Sequence, residues 1–212
     1  MEDTPDTKPI YIPIPEFKIK YKDVFHLKNL YVMIHEYLAE EGFLDNDQGS
    51  GNQEAHRYAE TLYMEKFVQK GINLGGKEMW VYWRVKKDFG AAGRQNTYFK
   101  EFLEIDMHMA YVENVEIVHQ GRKMTAQKAE IEMFFRPYIN GDMGGSWGKH
   151  PLLKHFKHIY EERIMRVEIE KKEKDLWREA YRIQARAKQF LELRQQGPVS
   201  EPFFARKFGY EG

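Results

Sequence analysis

The sequence predicts an α+β protein: an antiparallel meander of five to six strands, with one N-terminal helix and a very long C-terminal helix packed on its apolar face. Three observations carry that prediction. From His56 to Ile139 apolar residues recur with a period of two, as in half-buried strands. Before that stretch Phe25, Leu30, Ile34, Tyr37 and Leu38 recur with helical spacing. After it His150 to Leu193 holds no Gly, and no Pro beyond Pro151, which suits a first helical position. Residues 1–16 read as an extended arm, 17–195 as one α+β domain and 196–212 as an aromatic tail.

The 212 residues suffice for one sizeable core. Thirty-three basic and thirty-three acidic side chains cancel, so nucleic-acid or anionic-membrane binding would need a local patch. The absence of Cys excludes disulfides, thiolate catalysis and Cys-ligated zinc. MEDTPDTKP has neither the basic opening nor the apolar run of a secretion signal, and no stretch approaches the ~18 apolar residues of a membrane span. A cytoplasmic protein is expected.

In IYIPIPEFKIKY, Pro13 and Pro15 remove ladder donors and restrict the segment to an edge strand or arm until about Phe17. Asp23 is a plausible cap for the helix that ends near Gly42. LDNDQGSGNQE has the composition of a surface loop. Tyr58 to Lys70 fits either period; strand is preferred because the Gly-rich GINLGGKE leads directly into MWVYWRVKK as a hairpin. Met79, Val81, Trp83 and Val85 then share a face, as do Phe99, Leu103, Ile105, Met107, Met109 and Tyr111. A short strand, Val115 to His119, turns at QGRK into Lys128 to Ile139.

As one helix, His150 to Leu193 would extend roughly 65 Å. Leu153, Phe156, Tyr160, Ile164 and Val167 make a stripe suited to covering the sheet. Beyond the polar EKKEKD, Leu176, Ala180, Ile183, Ala187 and Phe190 follow heptad spacing, while Trp177, Tyr181 and Leu191 occupy another face. The far half therefore offers two apolar surfaces, one for its own domain and one for a partner. A bent or broken helix around one core has equal claim on the pattern.

The order of strand, helix, antiparallel strands and long C-terminal helix over residues 17 to about 190 resembles the helix-grip layout of START and Bet v 1-like lipid-binding domains. The phrases FKIKYKDVFHLKNLYVMIHEYLAEEGF and YFKEFLEIDMHM are similar to an uncharacterised archaeal protein family with no assigned activity. The helix-grip likeness implies a cavity between sheet and long helix.

Five residue sets could carry function. Met79, Trp83, Phe99, Met107, Met109, Met133, Phe135, Phe156 and Tyr160 would suit a loosely specified hydrophobic ligand, although a filled core is the simpler role. His155, His158 and Glu162 lie within two helical turns and offer an imidazole, imidazole, carboxylate set for zinc; an exposed polar flank is the simpler alternative. Arg178, Arg182 and Arg186 form a basic row that Asp175 and Glu179 can neutralise, so nucleic acid is the least favoured partner. Phe203, Phe204 and Phe208 are costly to leave in water and should dock on this subunit or a neighbour. Glu104, Asp106 and His108, with Glu130 and Glu132, could hold a divalent metal or serve as an acid and base pair, but they share the other sheet face with Arg84, Lys86, Lys100 and Arg136, the pattern of solvated cross-strand ion pairs.

No convincing catalytic set or cofactor signature emerges. The first expectation is a noncatalytic scaffold that dimerises through Leu176, Ala180, Ile183, Ala187, Phe190 and the tail. The alternative is a binder of a small hydrophobic ligand, and the third is nucleic-acid binding through the arginine row.

Overall fold

The computed structural model describes residues 10–43, 60–70, 74–91, 94–119, 122–142 and 145–193. Its centre is a six-stranded antiparallel sheet. Strands β1 (Tyr11–Pro13) and β2 (Phe17–Phe25) precede helix α1 (Leu27–Glu40); β3 (Glu60–Lys70), β4 (Leu74–Ala91), β5 (Arg94–His119) and β6 (Arg122–Gly141) form the meander. Strand order is β1-β6-β5-β4-β3, with β2 also on β6, so both N-terminal strands line the edge that the meander's last strand leaves open.

Cross-strand register explains the core. Ile19, Met133, Met107 and Val81 fall in one row, and Phe135, Ile105 and Trp83 in the next. These residues are at most 2% exposed, Phe17 stacks on Phe135 beside them, and α1 and the C-terminal helix cover this face. The opposite face carries the expected ion pairs: Lys20 meets Glu130 and Glu132, and Asp106 bridges Arg84 and Arg136.

Several local expectations change. Residues 60–70 are strand, in keeping with the hairpin. Asp23 and Phe25 belong to β2, not to α1; the helix begins at Leu27, and the Nδ1 of His26 accepts the Asn29 amide proton at 3.3 Å as its N-cap. Tyr11–Pro13 of the expected arm pairs with Tyr138–Asn140 and joins the sheet.

Alternation also places Tyr111 on the apolar face, but the register slips between Ala110 and Glu113. Tyr111 adopts φ 56° and is 47% exposed. A Cβ on Gly76 would lie 2.9 Å from the Tyr111 Cα, so the glycine permits this close approach. Beyond the bulge, Val112 pairs with Lys77, and β5 continues through Val115 to His119 without a break.

The C-terminal stretch is segmented. Helices α2 (Ser146–Lys149) and α3 (Leu153–Ile159) lead into a π-helix, Tyr160–Ile164, and then α4 (Arg166–Phe190). Met165 donates its amide to the Tyr160 carbonyl at 2.9 Å, the five-residue reach that widens a helical turn. The expected burial holds only in part along this stretch: Leu153 and Tyr160 are half-buried, and Tyr160 packs on the core. Phe156, Ile164 and Val167 are 52%, 64% and 75% exposed, whereas Leu176, Ala180, Ile183 and Ala187 are at most 1% exposed within their own chain.

Charged anchors hold these segments. Asp142 accepts the amides of Trp147 and Gly148, both at 3.1 Å, and faces the Lys157 ammonium at 3.8 Å. Lys87 on β4 donates to both oxygens of Glu179 on α4, at 3.0 and 2.9 Å. Gln184 donates to the Lys18 carbonyl at 3.3 Å, tying α4 to β2.

Candidate ligand-binding cavity

At the start of α1, helix and sheet do not close completely on each other. The result is a cavity of about 740 Å³ between the first turn of α1 and strands β3 to β6. Met79, Val81, Met107 and Met109 supply the apolar part of its lining, with Leu30 from the helix and Val112 from beyond the bulge. This volume falls within the ~300–1,000 Å³ typical of small-molecule sites. The unbranched methionines can adapt to more than one ligand shape.

The outer wall is polar and aromatic. Tyr63, Glu65 and Phe67 share a face of β3 because they pair with Val81, Met79 and Lys77. The Tyr63 hydroxyl donates to one oxygen of Glu65 at 2.6 Å, and Lys77 forms a short ion pair with the other. The hydrogen bond from Lys77, followed by that from Tyr63, holds the Glu65 carboxyl below its ordinary pKa. Burial, then the bond to Glu65, pushes the Tyr63 phenol up to about 12.

Across the mouth, Tyr31 of α1 donates to Glu60 of β3 at 2.5 Å, while its ring meets Trp83 edge-on at 4.7 Å. Burial and the Glu60 bond raise the Tyr31 phenol well above its ordinary range. At the far side Gln127 accepts the Leu27 amide proton at 3.1 Å and donates to Asn114 at 3.1 Å.

Of the expected hydrophobic set, Met79, Met107 and Met109 reach this cavity. Trp83, Phe99, Met133 and Phe135 are core residues, at most 1% exposed. Phe156 lies outside, and Tyr160 stacks on Phe99 at 6.4 Å and meets Trp147 at 4.6 Å. The cavity itself lies under α1, not under the long helix that the helix-grip likeness implied. The sequence shows the alternation of Tyr63, Glu65 and Phe67, but only hairpin register reveals that they stand beside Met79.

The other candidates separate. His158 and Glu162 approach to 3.1 Å on an exposed surface, yet among the described residues no three such ligands gather to hold a metal, so His155 completes no triplet. Arg178 pairs with Asp175 at 3.3 Å, Arg182 with Glu41 at 3.1 Å, and Arg186 lies over the Tyr37 ring at 5.7 Å. Leu176, Ala180, Ile183 and Ala187 are internal, which overturns their expected place in a dimer seam. Phe190 borders a second cavity of about 180 Å³ with Leu191, Ile117 and Met124. Phe203, Phe204 and Phe208 fall outside the described residues. No helix among the described residues is long and apolar enough to cross a membrane.

Comparison with protein-family models, curated proteins and solved structures yields no match, so the cavity's own chemistry must carry the functional argument.

Proposed function

We propose that this protein is a noncatalytic binder of a small, largely apolar ligand held between the start of α1 and the sheet. The observation that carries this reading is the cavity of about 740 Å³ over Met79, Val81, Met107 and Met109. An apolar molecule in this space would gain roughly 25 cal/mol for each Å² of apolar surface that it removes from water. Native mass spectrometry of the full chain tests the proposal: a copurifying apolar molecule, or 1:1 binding of Nile red, is expected. In Val112→Trp, where an indole enters the space, dye affinity should fall at least about tenfold with the circular dichroism unchanged. Unaltered dye binding in that variant would remove the cavity as the site.

A second reading, self-association, draws on a different observation. Leu152, Phe156, Ile164 and Val167 leave an apolar surface on the near half of the C-terminal stretch, each at least 52% exposed. Light scattering at micromolar concentration should give a dimer mass that Phe156→Ser with Val167→Ser reduces to monomer. A monomer before mutation would reject this reading.

A further inference from the structure

The cavity's charge pattern specifies its ligand further; this step rests on the reading of the cavity as a ligand site. Lys77 is engaged by Glu65, whose other oxygen takes the Tyr63 hydroxyl. Glu60 differs. It accepts from neutral Tyr31, and among the described residues no cation pairs with it. Its negative charge therefore stands at an apolar cavity whose wall also carries the Tyr31 and Tyr63 rings.

The opposite sign of ligand has less support. Lys28 and the N-terminus of α1 also border the space, and an anion would be drawn to both. Three of the first four amides of α1 are already taken, however. Leu27 donates to Gln127, Asn29 to the His26 ring and Leu30 to the His26 carbonyl. The Lys28 residue itself is exposed.

We propose that the ligand is a cationic amphiphile, with an amine or quaternary ammonium head at Glu60 beside Tyr31 and Tyr63 and an apolar chain over Met79, Met107 and Met109. A carboxylate supplies Coulomb attraction in a partly dry site. Aromatic faces add cation–π attraction without demanding a hydrogen-bond donor, which is why they recognise even quaternary ammonium groups.

Calorimetry of the full chain with decyltrimethylammonium, decanol and decanoate, each below its micelle concentration, separates head from tail. The ammonium should bind about tenfold or more tighter than decanol at low salt, and decanoate should bind weakest. Glu60→Gln keeps an acceptor for Tyr31 and should erase the preference for ammonium over decanol. Tyr63→Leu, at a half-exposed strand position, should reduce the ratio of ammonium to decanol affinity severalfold. Equal binding of ammonium and alcohol, or tightest binding of decanoate, would overturn the cationic assignment and leave the apolar site standing. Failure of all three to bind would overturn both.

Discussion

Tyr31 and Glu60 join helix α1 to strand β3 through a hydrogen bond of 2.5 Å at the cavity mouth. The same tyrosine ring rests edge-on against Trp83, so one side chain fixes both the helix's seat and the position of the carboxylate. Removing only the hydroxyl, in Tyr31→Phe, should preserve the ring contact and cost about 1 kcal/mol. Urea unfolding checks this through a lower midpoint at an unchanged slope. An unshifted midpoint would mean that the bond adds no net stability.

The buried stripe of α4 yields a contrasting pair. Ile183→Ala removes a side chain that is 1% exposed and should cost about 2–5 kcal/mol, whereas Trp177→Ala, at 43% exposure, should cost about 1 kcal/mol or less. Because the Ile183 contacts lie within one chain, the first loss should not vary with protein concentration across about a tenfold range. A concentration-dependent loss would place Ile183 in an intersubunit seam.

Asp142 satisfies two backbone amides and faces a lysine that is 4% exposed. Asp142→Ala removes the acceptor of both backbone amides and should destabilise by about 1–3 kcal/mol or more. Asp142→Asn keeps one acceptor oxygen and tolerates the residue's φ of 51°, so it should lose less. Thermal melts of the two variants should rank in that order.

Glu101 is 2% exposed, 3.4 Å from Lys172. Burial raises its pKa more than the charges of Lys172 and Lys87 lower it. Between the ordinary carboxylate pKa and the raised one, the folded chain keeps a proton that the unfolded chain has released. Stability from this group is therefore fully present below the ordinary value and is lost as pH rises through the raised one. Glu101→Gln should flatten that decline, making variant minus wild-type stability grow in thermal melts as pH rises above the ordinary carboxylate range. Parallel pH curves would show that Glu101 carries no such shift.

The pairing of the meander was legible because Gly-rich GINLGGKE and QGRK interrupt strands of period two, and Met79 through Val85 face the same side wherever the neighbouring strand lies. The three methionines of the cavity were legible as apolar strand residues. Tyr31, Glu60 and Lys77 were not, since their significance comes from partners 29 and 12 residues away, Glu60 and Glu65.

What the sequence by itself determined was local: the period of each element, the apolar face of each strand and the stripe at Leu176, Ala180, Ile183 and Ala187. Tertiary structure alone decided which of these surfaces meet. Period defines a face but not its neighbour, and a single widened turn at Tyr160–Ile164 or a bulge at Tyr111 changes which side chains point inward. The near half of the C-terminal stretch thus exposes Ile164 and Val167, while the far half buries the stripe from Leu176 to Ala187.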